Sequence, residues 1–127
     1  ALYCSIRLIN IISAAKERGK SGLSALTAHM PRLYSTAEIR IDVPEEDKFS
    51  IVPKIITSLK GQQKVEISDI DGIRVKTSEG WWLLRPSNTQ DVLSARAEGS
   101  SPQALETLKS MAVAEMKKLG YSLKFDS

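Results

Sequence analysis

The sequence contains a single cysteine, Cys4, and a single histidine, His29. One cysteine cannot form an intramolecular disulfide, so a reducing, cytoplasmic location is expected. One Cys and one His far apart also give no basis for a zinc site or a Cys–His nucleophile pair. No run is long enough to span a bilayer. The Ile-, Leu- and Ala-rich stretch 1–15 is interrupted by Arg7 and Asn10, and a span takes about 20 apolar residues. The stretch is not a signal peptide either, because no charge precedes it and no small-residue cleavage site follows. One-sided charge is lacking too. Of 18 Lys/Arg and 15 Asp/Glu, residues 1–40 hold six basic side chains against two acids, and residues 41–127 hold twelve against thirteen. A nucleic-acid binder gathers basic charge on one face of its folded module, so neither nucleic acid nor membrane is expected as a partner. Internal repeats and low-complexity tracts are absent. There is no initiator Met, and together with the abrupt apolar start at Ala1 this suggests a piece of a longer polypeptide.

At 127 residues, 42% hydrophobic and 26% charged, the chain suits one compact domain with an appended arm. Leu2, Ile6, Ile9, Ile12 and Ala15 lie at helical spacing, which predicts a helix over 2–18 stopped by Gly19. A short turn at Leu23–Ala28 follows, and 31–37 reads as an extended connector after Pro31. The domain proper is expected over 38–127. Glu38–Val43 alternates as a half-buried strand, and a helix fits about 47–60 with Phe49, Val52, Ile56 and Leu59 on one face. Pro53 either kinks that helix or sits in a first turn starting near Ser50. Strands follow at Lys64–Ser68, around Ile73–Val75 after the Asp71-Gly72 turn, at Trp81–Arg85 and at Val92–Glu98. In the last, Leu93, Ala95 and Ala97 share one face, and Ser94, Arg96 and Glu98 the other. A closing helix is capped by Ser101, has Pro102 at its first position and ends at Gly120, and Tyr121–Phe125 is a candidate final strand. The expected fold is α+β: an antiparallel sheet of four to five strands, two helices on one face, and an N-terminal helical arm.

The chemistry concentrates at Arg85-Pro86-Ser87-Asn88-Thr89 and at Arg96. A phosphate dianion is held by hydroxyls, by free backbone N–H groups in a tight turn and by guanidinium forks. Ser87 and Thr89 supply hydroxyls. Asn88 tolerates the left-handed conformation that aims neighbouring N–H groups inward. Arg85 enters the loop, and Arg96 lies on the polar face of the returning strand. Ser, Asn and Thr are equally common in plain hairpins, and Arg96 could pair with Glu98, so composition alone leaves both readings open.

Asp71-Gly72-Ile73-Arg74-Val75, then Gly80-Trp81-Trp82-Leu83-Leu84-Arg85-Pro86-Ser87-Asn88-Thr89, then Arg96-Ala97-Glu98 closely resemble the C-terminal domain of the phosphomannomutase/phosphoglucomutase (α-D-phosphohexomutase) family. The resemblance extends over essentially the whole chain. It implies a phosphotransferase-type isomerase that interconverts hexose 6- and 1-phosphates of mannose or glucose through a bisphosphate. In such enzymes four domains surround a cleft. The first carries a phosphoserine, the second a magnesium ion, the third a sugar-selecting loop, and the fourth grips the substrate phosphate. The resemblance assigns phosphate contacts to Arg85, Ser87, Asn88, Thr89 and Arg96. It implies no catalytic residue, metal or cofactor within these residues, Mg2+ in the parent enzyme, and the first three domains and a hexose phosphate as partners. The chain alone is then expected to be inactive. Connector 31–37 is expected to let the domain close over bound substrate. Many members follow the loop threonine with Glu-Pro, whereas Gln90-Asp91 stands here, which places an acid near the phosphate unless it turns away.

Adjacent strand residues face opposite sides, so only one of Trp81 and Trp82 can face a cleft and stack on sugar. The apolar stripe of 2–18 suggests self-association if it is exposed. The competing reading is a stand-alone α+β module that binds a protein or nucleic acid, since folds of this kind also serve that way.

Overall fold

The computed structural model describes residues 1–20, 22–61 and 65–125. It divides into two compact units, Ala1–Arg32 and Leu33–Ser127. The first holds helices α1 (Leu2–Glu17) and α2 (Gly22–Thr27). Gly19, at φ 75°, ends α1 as expected. Its N–H donates to Lys16 O at 3.0 Å and the Lys20 N–H to Ala15 O at 3.0 Å, the paired bonds that satisfy a helix's last carbonyls. Ala15 is the one buried residue of α1, and Leu2, Tyr3, Ile6 and Ile9 are exposed.

Among the described residues the second unit is built on six strands: β1 (Tyr34–Ser35), β2 (Ile39–Asp42), β3 (Glu66–Ser68), β4 (Ile73–Thr77), β5 (Gly80–Pro86) and β6 (Val92–Gly99). All pairings are antiparallel. The sheet runs β6-β5-β4-β3, and β1 and β2 both pair with the outer edge of β6. It exceeds the expected four to five strands because part of the expected connector joins it. Tyr34 pairs with Gly99 and Ser35 with Glu98. The Thr36 N–H donates to Ala97 O at 2.9 Å, and its hydroxyl accepts from the Ala97 N–H at 3.1 Å. These contacts satisfy backbone groups that an open edge would leave unpaired. The compact unit accordingly begins at Leu33 rather than at residue 38.

Helices α3 (Glu45–Leu59) and α4 (Pro102–Lys118) complete the layer. On β4, β5 and β6, alternate residues Ile73, Val75, Trp82, Leu84, Leu93, Ala95 and Ala97 form the core with Ile51, Val52, Ile55 and Leu59 of α3 and Leu108, Ala112 and Met116 of α4. The Ser101 side chain caps α4 by accepting from the Ala104 N–H at 3.1 Å. At Gly99 a Cβ would stand 2.6 Å from Leu105 N, so glycine lets the first turn of α4 lie directly on β6.

Of the two placements open to Pro53, the structure takes the one inside the helix, since α3 starts at Glu45 with Glu45, Glu46 and Asp47 at the positive end of its dipole. Two expectations need correction. The buried stripe is Lys48, Ile51, Val52, Ile55 and Leu59, and Phe49 is 58% exposed. The stripe is therefore turned about one residue from the Phe49–Val52–Ile56–Leu59 face, because Lys48 reaches inward to polar partners in the 90–91 segment. Tyr121–Phe125 forms no strand. After the Tyr121 N–H donates to Met116 O at 3.0 Å, the segment lies alongside α4 and is anchored by its Leu123 side chain in the core rather than by a backbone ladder. Of the expected strand 64–68, Glu66–Ser68 is observed, and Lys64 lies outside the described residues.

Candidate functional site

With α3 and α4 covering one face of the sheet, the other face carries the polar alternates. Arg85, Leu83 and Trp81 of β5 stand opposite Ser94, Arg96 and Glu98 of β6, and Ser94 also stands opposite Arg40 of β2. The β5–β6 connection rises at one end of this face. The Ser87 N–H donates to Val92 O at 3.0 Å and closes the hairpin. The Ser87 hydroxyl oxygen accepts from the N–H groups of Thr89 at 3.4 Å and Gln90 at 3.2 Å. This side-chain turn shapes the loop. The left-handed conformation expected at Asn88 is not used, since no non-glycine residue among those described has positive φ.

Beneath the loop lies a cavity of about 320 Å³, lined by Arg85, Pro86, Ser87, Asn88, Thr89 and Gln90, with Glu38, Arg40, Asp71, Val92 and Ser94 completing the wall. Four of the five residues expected from sequence thus come together. The fifth, Arg96, does not line the cavity. It is exposed on the same face, two residues along β6 from Ser94, about 7 Å away. Nor does it pair with Glu98, whose Oε1 accepts instead from Trp81 Nε1 at 3.1 Å.

Arg85 Nη1 donates to Asp71 Oδ2 at 3.4 Å, with both side chains largely in solvent, a pairing easily exchanged for another anion. Asp71 is held there by Gly72, at φ 96°, where a Cβ would approach Arg85 Cα to 2.8 Å. The acid of the 90–91 segment does turn away from the loop. Asp91 Oδ1 accepts from Lys48 Nζ at 3.2 Å, and Lys48 also donates to Gln90 O at 3.0 Å. The Gln90 side chain in turn accepts from Arg40 Nη1 at 3.2 Å. The downstream side of the loop is thus tied to both α3 and β2.

Trp82 is fully buried in the core, and Trp81 lies on the polar face beneath the Arg74 guanidinium at 4.6 Å. Trp81 stands at the far end of β5 from the loop, four residues or about 13 Å from Arg85. Among the described residues no group of three or more His, Cys, Asp or Glu comes together to hold a metal ion, and no helix is long and apolar enough to cross a membrane.

Arg40, Ser94 and Gln90 were not singled out as site residues from sequence. Strand alternation already puts Arg40 on the face opposite Ile39 and Ile41. Its meeting with the loop depends on the β2–β6 register, a pairing across about 50 residues that no local signal encodes.

Residues 38–115 match the family model described as the phosphoglucomutase/phosphomannomutase C-terminal domain. A phosphomannomutase/phosphoglucomutase of Pseudomonas putida is 36% identical over 108 residues, covering 85% of this chain and 22% of that protein. A phosphoglucomutase of Neisseria meningitidis serogroup B is 30% identical over 109 residues, covering 85% of this chain and 23% of that protein. A crystal structure of a phosphoglucomutase/phosphomannomutase family protein from Burkholderia thailandensis superimposes with a TM-score of 0.67 at 31% identity, over 80% of this chain and 21% of that one. The chain spans less than a quarter of the length of each. It belongs to the phosphoglucomutase/phosphomannomutase family, and the part it matches is that family's C-terminal domain.

Proposed function

We propose that this domain grips the phosphate of a hexose phosphate in a cytoplasmic phosphohexomutase, and that the chain by itself binds without catalysing. The observation that carries the reading is the cavity under the 86–91 loop, where the Arg85 guanidinium and the loop's neutral donors meet in one small space that Arg40 also borders. Arg85 would exchange its weak pairing with Asp71 for a charge-assisted fork to phosphate. The Ser87 hydroxyl oxygen already accepts two backbone N–H groups, so its own O–H remains as a donor. The Asn88 amide and Thr89 hydroxyl add neutral donors. Arg96 would reach in from its exposed position as the outer member of the set.

In this reading the phosphoserine and the magnesium ion belong to parts of the parent outside these residues. The magnesium would help move the phosphoryl group, and this domain's task would be to hold whichever phosphate is not reacting. The bisphosphate intermediate presents its two phosphates in turn, and a site made of loop donors and arginine forks suits either one. Closing motion would turn N-terminal to Leu33, because Tyr34–Thr36 are bonded to β6, and closure excludes water from phosphoryl transfer.

Titration of the chain with glucose 1-phosphate, read at the backbone amides of Asn88 and Thr89, tests the proposal. Saturable shifts at millimolar ligand, abolished by Arg85→Ala, are the expected result. Silent amides at high millimolar ligand would refute it, as would shifts unaffected by Arg85→Ala.

A further inference from the structure

We propose that Arg40 is a second phosphate-binding guanidinium, the other arm of a clamp whose first arm is Arg85. The inference rests on the phosphate-binding reading of the 86–91 loop and adds to it a residue on a different strand. Arg40 of β2 is paired with Ser94 of β6, and Ser94 with Arg85 of β5. The three form one cross-strand row on the uncovered face. With strands about 4.8 Å apart, the two arginine backbones stand about 10 Å apart, a span that two guanidinium side chains can close over one phosphate.

Between them sits a serine, nearly buried, its hydroxyl donating to Glu38 Oε1 at 3.2 Å. The middle of the row is therefore a low floor, and both arginines border the same cavity. The Arg40 guanidinium is held toward the loop by a single neutral partner, Gln90 Oε1 at 3.2 Å. That bond uses one of its five N–H donors. No carboxylate pairs with Arg40 among the described residues, whereas Arg85 shares its charge with Asp71.

The charge balance favours two arms. A phosphate monoester carries about −1.5 to −2 at pH 7, with its second pKa near 6. Arg85, part-compensated by Asp71 and with Glu38 also on the cavity wall, supplies less than one unopposed positive charge. Arg40, which no carboxylate pairs among the described residues, adds the full positive charge that this shortfall calls for. Arg40 is then the residue that distinguishes a dianionic phosphate from a singly charged anion.

The test titrates the chain and its variants with inorganic phosphate and with glucose 1-phosphate at pH 7.5 and at pH 5. Loop amides report binding and thermal unfolding reports the fold. Loss of a charge-assisted contact predicts that Arg40→Ala weakens both ligands by about tenfold or more at pH 7.5. Arg40→Lys, which keeps charge but not the fork, should fall between Arg40→Ala and the parent chain. At pH 5, where the ligands are mostly monoanions, the deficit of Arg40→Ala should shrink to about threefold or less. If the parent chain binds, Arg85→Ala abolishes binding and Arg40→Ala binds as well as the parent, the Arg40 assignment is overturned and the loop reading stands. A deficit equal at both pH values and not relieved by Arg40→Lys also overturns it, since that pattern marks a structural role. A parent chain silent to both ligands overturns the loop reading and the Arg40 assignment together.

Discussion

The two faces of the β5–β6 hairpin are made from the same strands and share almost nothing else. Toward the helices point Trp82, Leu84, Leu93, Ala95 and Ala97, none more than 1% exposed. On the other side stand Trp81, Arg85, Ser94, Arg96 and Glu98, engaged by hydrogen bonds, one cation–ring contact or solvent. The difference teaches that the packed core and the proposed recognition face are separated by a single residue of register. Neighbours along the chain answer to different demands: Leu84 to packing and, in the proposed function, Arg85 to an anion.

The largest expected effect contrasts the two tryptophans. Trp82→Ala should cost about 3–5 kcal/mol by emptying the centre of the core. Trp81→Ala loses one hydrogen bond and one cation–ring contact and should cost about 1–2 kcal/mol. Chemical denaturation measures both, and equal losses would break the distinction between the faces. Next come Leu84 and Arg85. Leu84→Ala should destabilise by about 2–5 kcal/mol. Arg85→Ala should change stability by about 0.5 kcal/mol or less while phosphate affinity falls about a hundredfold or more, out of the millimolar range and so beyond detection in the titration. Lys48→Met probes the link between faces: it removes the ties to Gln90 O and Asp91, both exposed to water, at a cost of about 1 kcal/mol or less. Phosphate affinity should drop with it, although Lys48 does not touch the cavity. Unchanged affinity would show that the loop holds its shape unaided.

The smallest effect concerns pH. The Tyr121 hydroxyl donates to Asp47 Oδ2 at 2.6 Å. That bond, aided by burial and by the charges of Asp47 and Glu46, raises the phenol above its ordinary value near 10. A raised acid keeps its proton longer in the folded state. Its stabilising contribution is complete below the unfolded value and is lost as pH rises through the folded one. Tyr121→Phe should flatten the alkaline fall in melting temperature and leave the loop's phosphate response unchanged. A steeper alkaline fall in the variant would contradict the assignment.

Much of this arrangement was legible in the sequence where the signal is local. The period of two at 92–98 put Arg96 and Ser94 opposite Leu93, Ala95 and Ala97, and Ser101-Pro102 marked the start of α4. The loop's residues were found by their chemistry and by resemblance. What escaped depends on distant pairing. Tyr34–Ser35 is too short to show alternation and becomes a strand only because β6 has a free edge there. The stripe of α3 was misplaced because a lysine occupies a buried position, and apolar periodicity cannot mark a residue drawn inward by Asp91 and Gln90. Arg40 was identifiable as outward-facing, but the β2–β6 register decides what it faces.

Diffraction from crystals of the chain grown with glucose 1-phosphate tests the central claim most directly. The account predicts phosphate density in the cavity under the 86–91 loop, with oxygens in hydrogen-bond reach of Arg85, Ser87 and Asn88 and the Asp71–Arg85 pair opened. Ligand seated elsewhere, such as against Trp81 and Arg74, with this cavity empty and the Asp71–Arg85 pair intact, would contradict it.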